Sequence, residues 1–519
     1  MASQTETVKK LPIGIQTFSK LIENNYLYID KTRDILNLLE AGSYLFLSRP
    51  RRFGKSLLIS TLDSIFKGRK ELFSGLYIED KIDWKEYPVI RIDLSTCQTD
   101  TVQNLETSLK EVIQVIAETY SVSLQSTLVT GQFKELIRKL SAGSKVVILI
   151  DEYDKPIVDY LTNSEMLAQM RDILRNFYSV IKGSDEYIHF AFITGVSKFS
   201  QVSIFSGLNN IKDISFFPEF ASLLGYTQEE LEICFSDRFP SLLEKTKMTT
   251  TEILSQLRTW YNGYSWDGKN RVYNPYSILN FFDRGEFQNF WFQTGTPTFL
   301  IRHIKSEKIS IPSMENIEAD PEAFESFGIN EISFHSLLLQ TGYLTVKEIR
   351  KEGIAVKYTL DYPNEEVRRS FFFHILNSFL DGTKSTGQIS PIVWDMNSAL
   401  KNSDTKSFIL KLRSLFASIP YTLHMDAEAY YHSLFYMILK LIGCSIDLEV
   451  LSSEGRADGI LEFSDRIYVI EMKLDRPERA MEQIHSKKYH EPYMGSGKKI
   501  FLLGIGYLNR ETEYIIEEV

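Results

Sequence analysis

Short apolar runs alternate with longer amphipathic stretches over about the first 220 residues, and this alternation constrains the fold more than any other feature. The amphipathic stretches include 105–119 and 166–182, in which apolar residues recur at helical spacing. Strands that alternate with helices are typical of a parallel sheet with helices on both faces. The strand-like runs are Tyr44–Leu47, Val89–Leu94, Val146–Ile150 and His189–Thr194. The sequence therefore predicts an α/β fold for this region.

A loop with the layout of a phosphate-binding site follows the first of these runs. Residues 48–56 read Ser-Arg-Pro-Arg-Arg-Phe-Gly-Lys-Ser, and an apolar helical stretch begins directly after them. In this layout backbone amides and the helix N-terminus hold phosphates, the lysine reaches the outer phosphates, and the hydroxyl ligates Mg²⁺. The generic motif has a glycine where Arg49 stands. This departure adds three arginines, Arg49, Arg51 and Arg52, beside the predicted anion site, and the alternative is a basic surface turn before a helix. The candidate residues are Arg52, Gly54, Lys55 and Ser56.

Two acidic residues follow the third run, 146–150, without a break. A core strand that ends in two acids is the arrangement with which ATPases hold Mg²⁺ opposite the phosphate loop. We predict that Asp151 holds Mg²⁺ opposite Ser56 and that Glu152 orients and deprotonates the attacking water. The alternative is a buried strand that ends in a solvated acidic turn. The phosphate-loop candidate upstream argues against that alternative.

The fourth run ends in Thr-Gly-Val-Ser-Lys, residues 194–198. A polar residue at the end of the next core strand commonly senses the terminal phosphate of a nucleotide. Thr194 and Lys198 are the candidates that we assign to the nucleotide, with Ser197 as a further one, although an ordinary turn is equally compatible. Arg171 and Arg175 lie on a helical stretch and are weaker candidates for stabilising the transferred phosphate.

The pattern changes twice further along the chain. Residues 220–380 are mainly helical and contain aromatic motifs such as Trp-Tyr-Asn-Gly-Tyr at 260–264 and Gln-Thr-Gly-Tyr-Leu at 340–344. A small, polar stretch without periodicity, 381–390, is the best linker candidate. The predicted domains are 1–219, 220–380, 381–424 and 425–519.

The last 95 or so residues follow the predicted order α-β-β-β-α-β, and they place two acids and a lysine together. Glu471 and Lys473 lie two apart on one strand candidate, so both face the same side. Asp458 opens the preceding strand. Two acids can hold a divalent ion that polarises a phosphodiester, and a nearby lysine can stabilise the developing charge. The strand candidates are 445–451, 457–463, 467–473 and 499–508, and a helix candidate is 477–489.

This set predicts a metal-dependent phosphodiester-cleaving site, and the alternatives are a degenerate site or a surface strand with an internal ion pair. Glu428, on the preceding helix, is an additional candidate metal ligand. Gln483, on the following helix, is a candidate for the border of the site. His432 lies one turn after Glu428 and is more typical of a packing histidine.

The overall charge limits how the chain can meet nucleic acid. The net charge is −10, whereas proteins that coat nucleic acid are usually basic, so we expect DNA contact only through a local patch. Residues 466–499 carry eight basic and five acidic side chains, a local charge of +3. Three widely separated cysteines favour a reducing compartment. No apolar run approaches the ~20 residues of a membrane span, so we expect a cytoplasmic protein without a membrane partner.

Taken together, these motifs resemble those of the prokaryotic AAA-ATPase-like proteins that carry a C-terminal PD-(D/E)XK nuclease domain, abundant in Bacteroidetes. The resemblance covers nearly the whole chain, from Tyr-Ile-Asp-Lys-Thr at 28–32 to Tyr-Pro-Asn at 362–364 and on to the C-terminal pattern. Arg49 belongs to that family's own form of the phosphate loop. The residues that match its nuclease pattern are Asp458, Glu471 and Lys473, with Glu428 and Gln483 at its accessory helix positions.

The resemblance implies an AAA-type ATPase core, a helical lid or winged-helix-like middle region and a restriction-endonuclease-like end. It also implies ATP and Mg²⁺ as cofactors, with Mn²⁺ an option at the nuclease site, and DNA as the nucleic acid partner. It is compatible with a homo-oligomer and, by analogy, with defence or mobile-element biology. We therefore expect an ATP-dependent enzyme that cleaves DNA. The alternatives are a nucleotide-controlled switch whose nuclease-like domain binds DNA without cutting it and, more weakly, a transcription regulator.

Overall fold

The chain forms two compact units in a computed structural model. The first unit consists of Met1–Thr294 and Asn316–Val367, and the second of Gly295–Glu315 and Arg368–Val519. The boundaries predicted at 219, 380 and 424 remain predictions. The structure describes residues 8–160, 163–197, 210–291, 300, 304, 311, 314–321, 334–379, 389–417, 427–442, 457–508 and 511–519, with the backbone alone at 379, 389–390 and 427–430.

A five-stranded parallel sheet forms the centre of the first unit, in the order β2-β3-β4-β1-β5. The four predicted strands are confirmed as β1–β4. Asp93 pairs in register with Asp151, and Ser48 with Gly195, so the carboxyl ends of these strands meet at one edge. The strands β1–β5 are Tyr44–Ser48, Val89–Asp93, Val146–Asp151, Ile188–Gly195 and Lys212–Asp213.

Helices cover this sheet because each presents an apolar stripe. In α4 the buried residues Leu105, Leu109, Ile113 and Ala117 recur every four positions. They share one core with residues of α5, α7 and β3. The helices α1–α7 are Phe18–Glu23, Thr32–Glu40, Lys55–Phe66, Val102–Thr119, Val129–Leu140, Lys155–Val158 and Ser164–Lys182.

The middle of the chain is helical, as predicted, and it also contains a small antiparallel sheet in the order β6-β8-β7. The aromatic and helical patterning does not anticipate this sheet, because β7 is largely exposed and rich in charged residues, and β8 is mostly half-buried. The strands β6–β8 are Ile317–Ala319, Thr345–Glu352 and Ala355–Asp361. The helices α8–α13 are Gln228–Cys234, Phe239–Thr246, Thr250–Tyr261, Pro275–Arg284, Phe334–Thr341 and Glu365–Phe379.

Several of these helices begin at local signals in the sequence. Thr227 and Thr249 each form a capping box with the glutamate three residues later, at the starts of α8 and α10. Asn274 caps α11 through its side chain, and Pro275 occupies the first helical position.

The second unit contains a four-stranded sheet in the order β12-β11-β10-β9, in which β10 and β11 are parallel and the other pairs antiparallel. Its helices α14–α17 are Ile389–Lys401, Thr405–Ala417, Ala427–Ile442 and Pro477–Ser486. Its strands β9–β12 are Gly459–Glu462, Arg466–Lys473, Lys499–Leu508 and Glu511–Glu518.

The strands predicted at 457–463, 467–473 and 499–508 are confirmed, whereas the predicted strand 445–451 and most of the linker 381–390 lie outside the described residues. The edge strand β12 is additional, and its exposed glutamates hide it from a search for apolar runs. Within the described ranges, no helix combines the length and apolarity that a membrane span requires.

Candidate functional sites

The phosphate-loop candidate connects β1 to α3 at the carboxyl edge of the first sheet. Gly54 caps α3 with a φ of 93°, a left-handed conformation that suits glycine. Arg52 has a φ of 68°, which is unusual for a residue with a side chain. The start of α3 opens into a cavity of about 590 Å³, and Arg51, Arg52, Gly54, Lys55 and Ser56 line this cavity. Helix N-termini favour anions, so the place suits phosphate.

Lys55 is almost fully buried, and its ammonium group has several partners. Nζ donates to the carbonyl oxygens of Arg49 and Pro50 at 3.2 and 3.3 Å. It also lies 3.5 Å from Oε1 of Glu152. The structure therefore places the predicted phosphate lysine beside the predicted general base.

Asp151 ends β3 and is only 1% exposed. Burial raises the pKa of its carboxyl to about 6, while a hydrogen bond from the Ser56 hydroxyl and the charge of Lys55 oppose that rise. The predicted pair of Mg²⁺ ligands, Ser56 and Asp151, therefore lies within hydrogen-bonding distance. A hydroxyl and a carboxylate are the oxygen ligands that Mg²⁺ uses in phosphate sites, so these residues fit that ion.

Glu152 lines the cavity directly after Asp151. Its φ is 52°, again left-handed, and its amide donates to Oδ1 of Asp151 at 3.0 Å. Such conformations cost about 1–3 kcal/mol and persist where the surrounding structure enforces them. Here the conformation turns the chain sharply at the end of β3, beside the cavity.

The candidates at the end of β4 lie in different surroundings. Thr194 is fully buried, and its Oγ1 has no hydrogen-bond partner among the described residues, while its carbonyl accepts from the Tyr153 amide at 3.1 Å. Ser197 donates from its amide and its hydroxyl to buried Asp154. Lys198 lies outside the described residues. Thr194 is not among the residues that line the cavity, so its role in sensing nucleotide remains a prediction.

The three arginines of the phosphate loop have different surroundings. Arg49 is 1% exposed, and its guanidinium donates to the carbonyl oxygens of Ser48, Ser215 and Phe220 at 2.8–3.0 Å. It also lies 3.8 Å from the Trp266 ring. The expectation that three arginines flank the anion site is therefore wrong for Arg49, which holds the loop from inside, whereas Arg51 and Arg52 line the cavity.

Arg171 and Arg175 both pair with Asp172 on α7, and neither is among the residues that line the cavity. Nothing in these contacts connects them with the phosphate loop.

The aromatic motifs of the middle region surround the phosphate loop. Phe53 packs edge-on against Tyr264, with ring centroids 4.8 Å apart. The Arg52 guanidinium lies 4.8 Å from the ring of Tyr276, which also lines the cavity. These aromatic residues therefore shape the site by packing.

Asp458, Glu471 and Lys473 come together in the second unit. Glu471 is 1% exposed, accepts a hydrogen bond from the Asp458 amide at 3.2 Å, and lies 3.1 Å from Nζ of Lys473. Oδ2 of Asp458 accepts from the Met472 amide at 2.8 Å. Burial, and then the charge of Asp458, raise the pKa of Glu471 to about 7, while Lys473 lowers it. The antiparallel pairing of β9 with β10 produces this arrangement, because Gly459 pairs with Ile470.

The accessory residues of this site have different surroundings. Nδ1 of His432, on α16, lies 3.4 Å from Oδ1 of Asp458, so this histidine borders the site rather than only packing in the core. Gln483 donates to the Tyr489 hydroxyl at 3.2 Å. Glu428 lies on α16, but its side chain lies outside the described residues.

Two converging carboxylates beside a lysine fit a hard divalent cation. Among the described residues, no group of three or more histidine, cysteine or acidic side chains is arranged to hold a metal ion. Mg²⁺ is commonly bound by one or two carboxylates, with water and substrate phosphate completing its shell. The pair Asp458 and Glu471 therefore fits Mg²⁺ or Mn²⁺ better than a structural zinc ion, which takes nitrogen and sulfur ligands.

Comparisons with known proteins agree with this division of the chain. Residues 12–205 match the family model described as predicted AAA-ATPase. Residues 426–518 match the model of the PD-(D/E)XK nuclease superfamily. An uncharacterized protein in the vnfD 5' region of Azotobacter chroococcum mcd 1 is 38% identical over 520 residues, which cover 98% of this chain and 98% of that protein.

Proposed function

The chain belongs to the family of AAA-ATPase-like proteins that carry a C-terminal PD-(D/E)XK nuclease superfamily domain, and we propose that it hydrolyses ATP and cleaves DNA with divalent metal ions. One observation supports this most: each unit gathers, from separate elements, the charged residues that its own reaction requires. In the first unit they come from α3 and the end of β3. In the second they come from β10 and the residue before β9.

In the first unit, Lys55 and the amides at the start of α3 bind the phosphates of ATP. Ser56 and Asp151 hold Mg²⁺, which neutralises phosphate charge when bound. Lys55 forms an ion pair with Glu152 at 3.5 Å. When the Lys55 side chain binds the phosphates instead, the Glu152 carboxylate is released. Glu152 then orients a water molecule towards the terminal phosphate and accepts its proton. Thr194 and Lys198 are proposed to sense the terminal phosphate.

The base of the nucleotide is proposed to lie against the apolar part of the same cavity. A purine has two flat faces, and aromatic and aliphatic side chains bind such faces through dispersion. Arg52, beside the Tyr276 ring, would link this apolar part to the phosphates. The apolar residues of the lining include Pro12, Ile15, Tyr226, Pro275, Tyr276 and Leu279.

In the second unit, Asp458 and Glu471 hold the metal ion, and Glu428 is proposed as a further ligand. When bound, the ion polarises the phosphodiester and lowers the pKa of water. Lys473, which lies 3.1 Å from Glu471, stabilises the negative charge that develops on the phosphate. A domain that only bound DNA would have no chemical need for both acids and the lysine, so this set favours cleavage.

DNA binding is proposed to involve a small basic surface. The local charge of +3 over residues 466–499 contrasts with −10 for the whole chain. Exposed Arg476 and Arg479 lie at the start of α17, directly after β10, which carries the catalytic candidates. The combination of an ATPase with a nuclease is compatible with action on foreign or mobile DNA.

The test compares wild type with Lys55→Ala and Lys473→Ala. ATP hydrolysis and the cleavage of plasmid and linear DNA are measured with Mg²⁺ or Mn²⁺, with and without ATP. Lys401→Ala is the matched control, because this exposed lysine ends α14 and is not among the residues that line the nucleotide cavity. We expect Lys473→Ala to lose cleavage and keep ATP hydrolysis, and Lys55→Ala to lose ATP binding.

The outcomes separate the alternatives. Cleavage by Lys473→Ala at the wild-type rate would show that the nuclease site is wrongly assigned. Nucleotide-dependent DNA binding without any cleavage by wild type would favour a switch whose nuclease domain does not cut. Absence of ATP binding by wild type would refute the nucleotide site.

A further inference from the structure

The backbone of the phosphate loop is hydrogen-bonded by a side chain from another part of the first unit. The indole Nε1 of Trp291 donates to the carbonyl oxygen of Arg51 at 3.1 Å. Trp291 is 6% exposed, and Arg51 lines the nucleotide cavity. The contact therefore connects a buried aromatic residue with the loop that would bind the phosphates.

Trp291 is itself held by a buried acid at the start of α13. Its amide donates to Oε1 of Glu366 at 2.8 Å, and the Phe290 amide also hydrogen-bonds to this carboxyl. The hydroxyl of Ser277, on α11, donates to Oε2 at 2.7 Å. Glu366 is fully buried. The carboxyl of Glu366 thus links the backbone at 290–291 to Ser277 on α11.

A glycine allows the loop and the tryptophan to approach each other closely. A Cβ atom at Gly342 would lie 2.6 Å from Cβ of Pro50 and 3.4 Å from Cζ2 of Trp291. The φ of Gly342 is 89°, which also favours glycine. The motif at 340–344 therefore has a physical explanation, because a larger residue would push the loop away from Trp291.

We propose that Trp291, held in place by Glu366, is a positioning residue that keeps the phosphate loop in its phosphate-binding conformation. The proposal rests on the proposed ATP site. It adds to that site a residue that lies far from the phosphate-loop motif in the sequence. The loop has Arg49 in place of the generic glycine and holds Arg52 at a φ of 68°. A left-handed non-glycine residue persists only where other contacts enforce it, and the hydrogen bond to the neighbouring Arg51 is such a contact.

The test uses Trp291→Phe, which keeps an aromatic ring and removes the N–H donor. Trp84→Phe is the matched control, because Nε1 of Trp84 donates to a backbone carbonyl, that of Glu79, at 2.8 Å, outside the cavity lining. Titration calorimetry on the full chain measures the affinity for ATP and for inorganic tripolyphosphate. We expect Trp291→Phe to weaken both by about 3- to 10-fold, the size of one net hydrogen bond. Trp84→Phe should stay within twofold of wild type.

A loss that is equal for tripolyphosphate and ATP would indicate the phosphate loop itself, since tripolyphosphate has no base. If wild type binds ATP and Trp291→Phe binds it with the same affinity, this inference is overturned, but the proposed ATP site is not. Absence of binding by wild type would refute both. If Trp291→Phe does not fold, Glu366→Met decides. Methionine has a similar side-chain length but offers no oxygen to the Trp291 amide, so the same loss is expected, and unchanged affinity overturns the proposal.

Discussion

Nζ of Lys55 lies 3.5 Å from Oε1 of Glu152, so the lysine that would bind phosphate and the acid that would activate water form an ion pair. Both residues line the same cavity. In the proposed mechanism, phosphate would compete with Glu152 for Lys55 and would release the carboxylate for catalysis. The ion pair would then oppose activation of water before the nucleotide is in place.

Glu152→Gln should hydrolyse ATP at least 100-fold more slowly, which is the lower end of the usual contribution of a general base. ATP should bind at least as tightly, because an amide neither pairs with Lys55 as a charge nor repels the phosphates. Single-turnover hydrolysis and equilibrium binding measure the two effects. Glu111→Gln, exposed on α4, is the control. Hydrolysis by Glu152→Gln within threefold of wild type would exclude Glu152 as the base.

Asp458→Asn should weaken Mn²⁺ binding by about tenfold or more, since an amide is a poorer ligand for a hard cation and since even outer-shell changes cost this much. Electron paramagnetic resonance of free Mn²⁺ measures the affinity without any need for DNA cleavage. Asp475→Asn is the matched control, because Asp475 is exposed and its carboxylate accepts from the Arg476 amide. Equal Mn²⁺ affinities for the two variants would place the metal elsewhere.

Glu366 should make the first unit less stable as the pH rises. Burial raises its pKa from the ordinary 4.5 to about 7, so the folded state holds the proton over a range in which the unfolded chain releases it. The free energy of unfolding therefore falls between pH 4.5 and 7, by at most roughly 3 kcal/mol, and is constant with respect to this group below 4.5. Thermal unfolding without nucleotide, at pH 5 to 8, measures this. Glu366→Gln should show a flatter profile, and parallel profiles would contradict the prediction.

Gly342→Ala should destabilise the first unit by about 2–4 kcal/mol, from a strained left-handed backbone and the clash with Pro50. Gly353→Ala is the matched control, since Gly353 has a φ of 62° and an added Cβ would meet nothing within 4 Å. It should cost only about 1 kcal/mol. Urea unfolding of the first unit measures both variants. A cost for Gly342→Ala no greater than that of the control would show that the loop moves aside without strain.

Local sequence patterns predict the strands β1–β4, which the structure confirms, and they also single out the acidic residues that end or follow these strands. Asp151 and Glu152 were found because they follow a buried run, and parallel strands bring their carboxyl ends to one edge. Asp458 and Glu471 were found because a hairpin pairing of two neighbouring strands brings them together. In each case the sequence pattern spans only a few neighbouring residues. The geometry of strand pairing then predicts which of these residues lie close together.

Longer-range features needed the structure. The sequence predicts that Arg49 is one of three arginines beside a bound anion. In the structure, its guanidinium instead donates to the carbonyl oxygens of residues 215 and 220. The sequence favours a packing role for His432, yet in the structure this residue lies beside Asp458. Trp291 carries no motif of its own that would connect it with Arg51, 240 residues earlier.

Periodicity and motif spacing thus specify the elements and the chemical types at their ends, because both depend on backbone geometry within a few residues. Which side chains hold those ends in place depends on contacts between distant segments, and many sequences of similar pattern could supply them. In this structure Arg49, Trp291 and Glu366 hold the phosphate loop and its surroundings. Their polar groups are buried, so each must form hydrogen bonds with the few partners nearby. The residue types at the end of each strand can be predicted from the sequence, whereas the contacts that hold those strand ends are decided by tertiary packing.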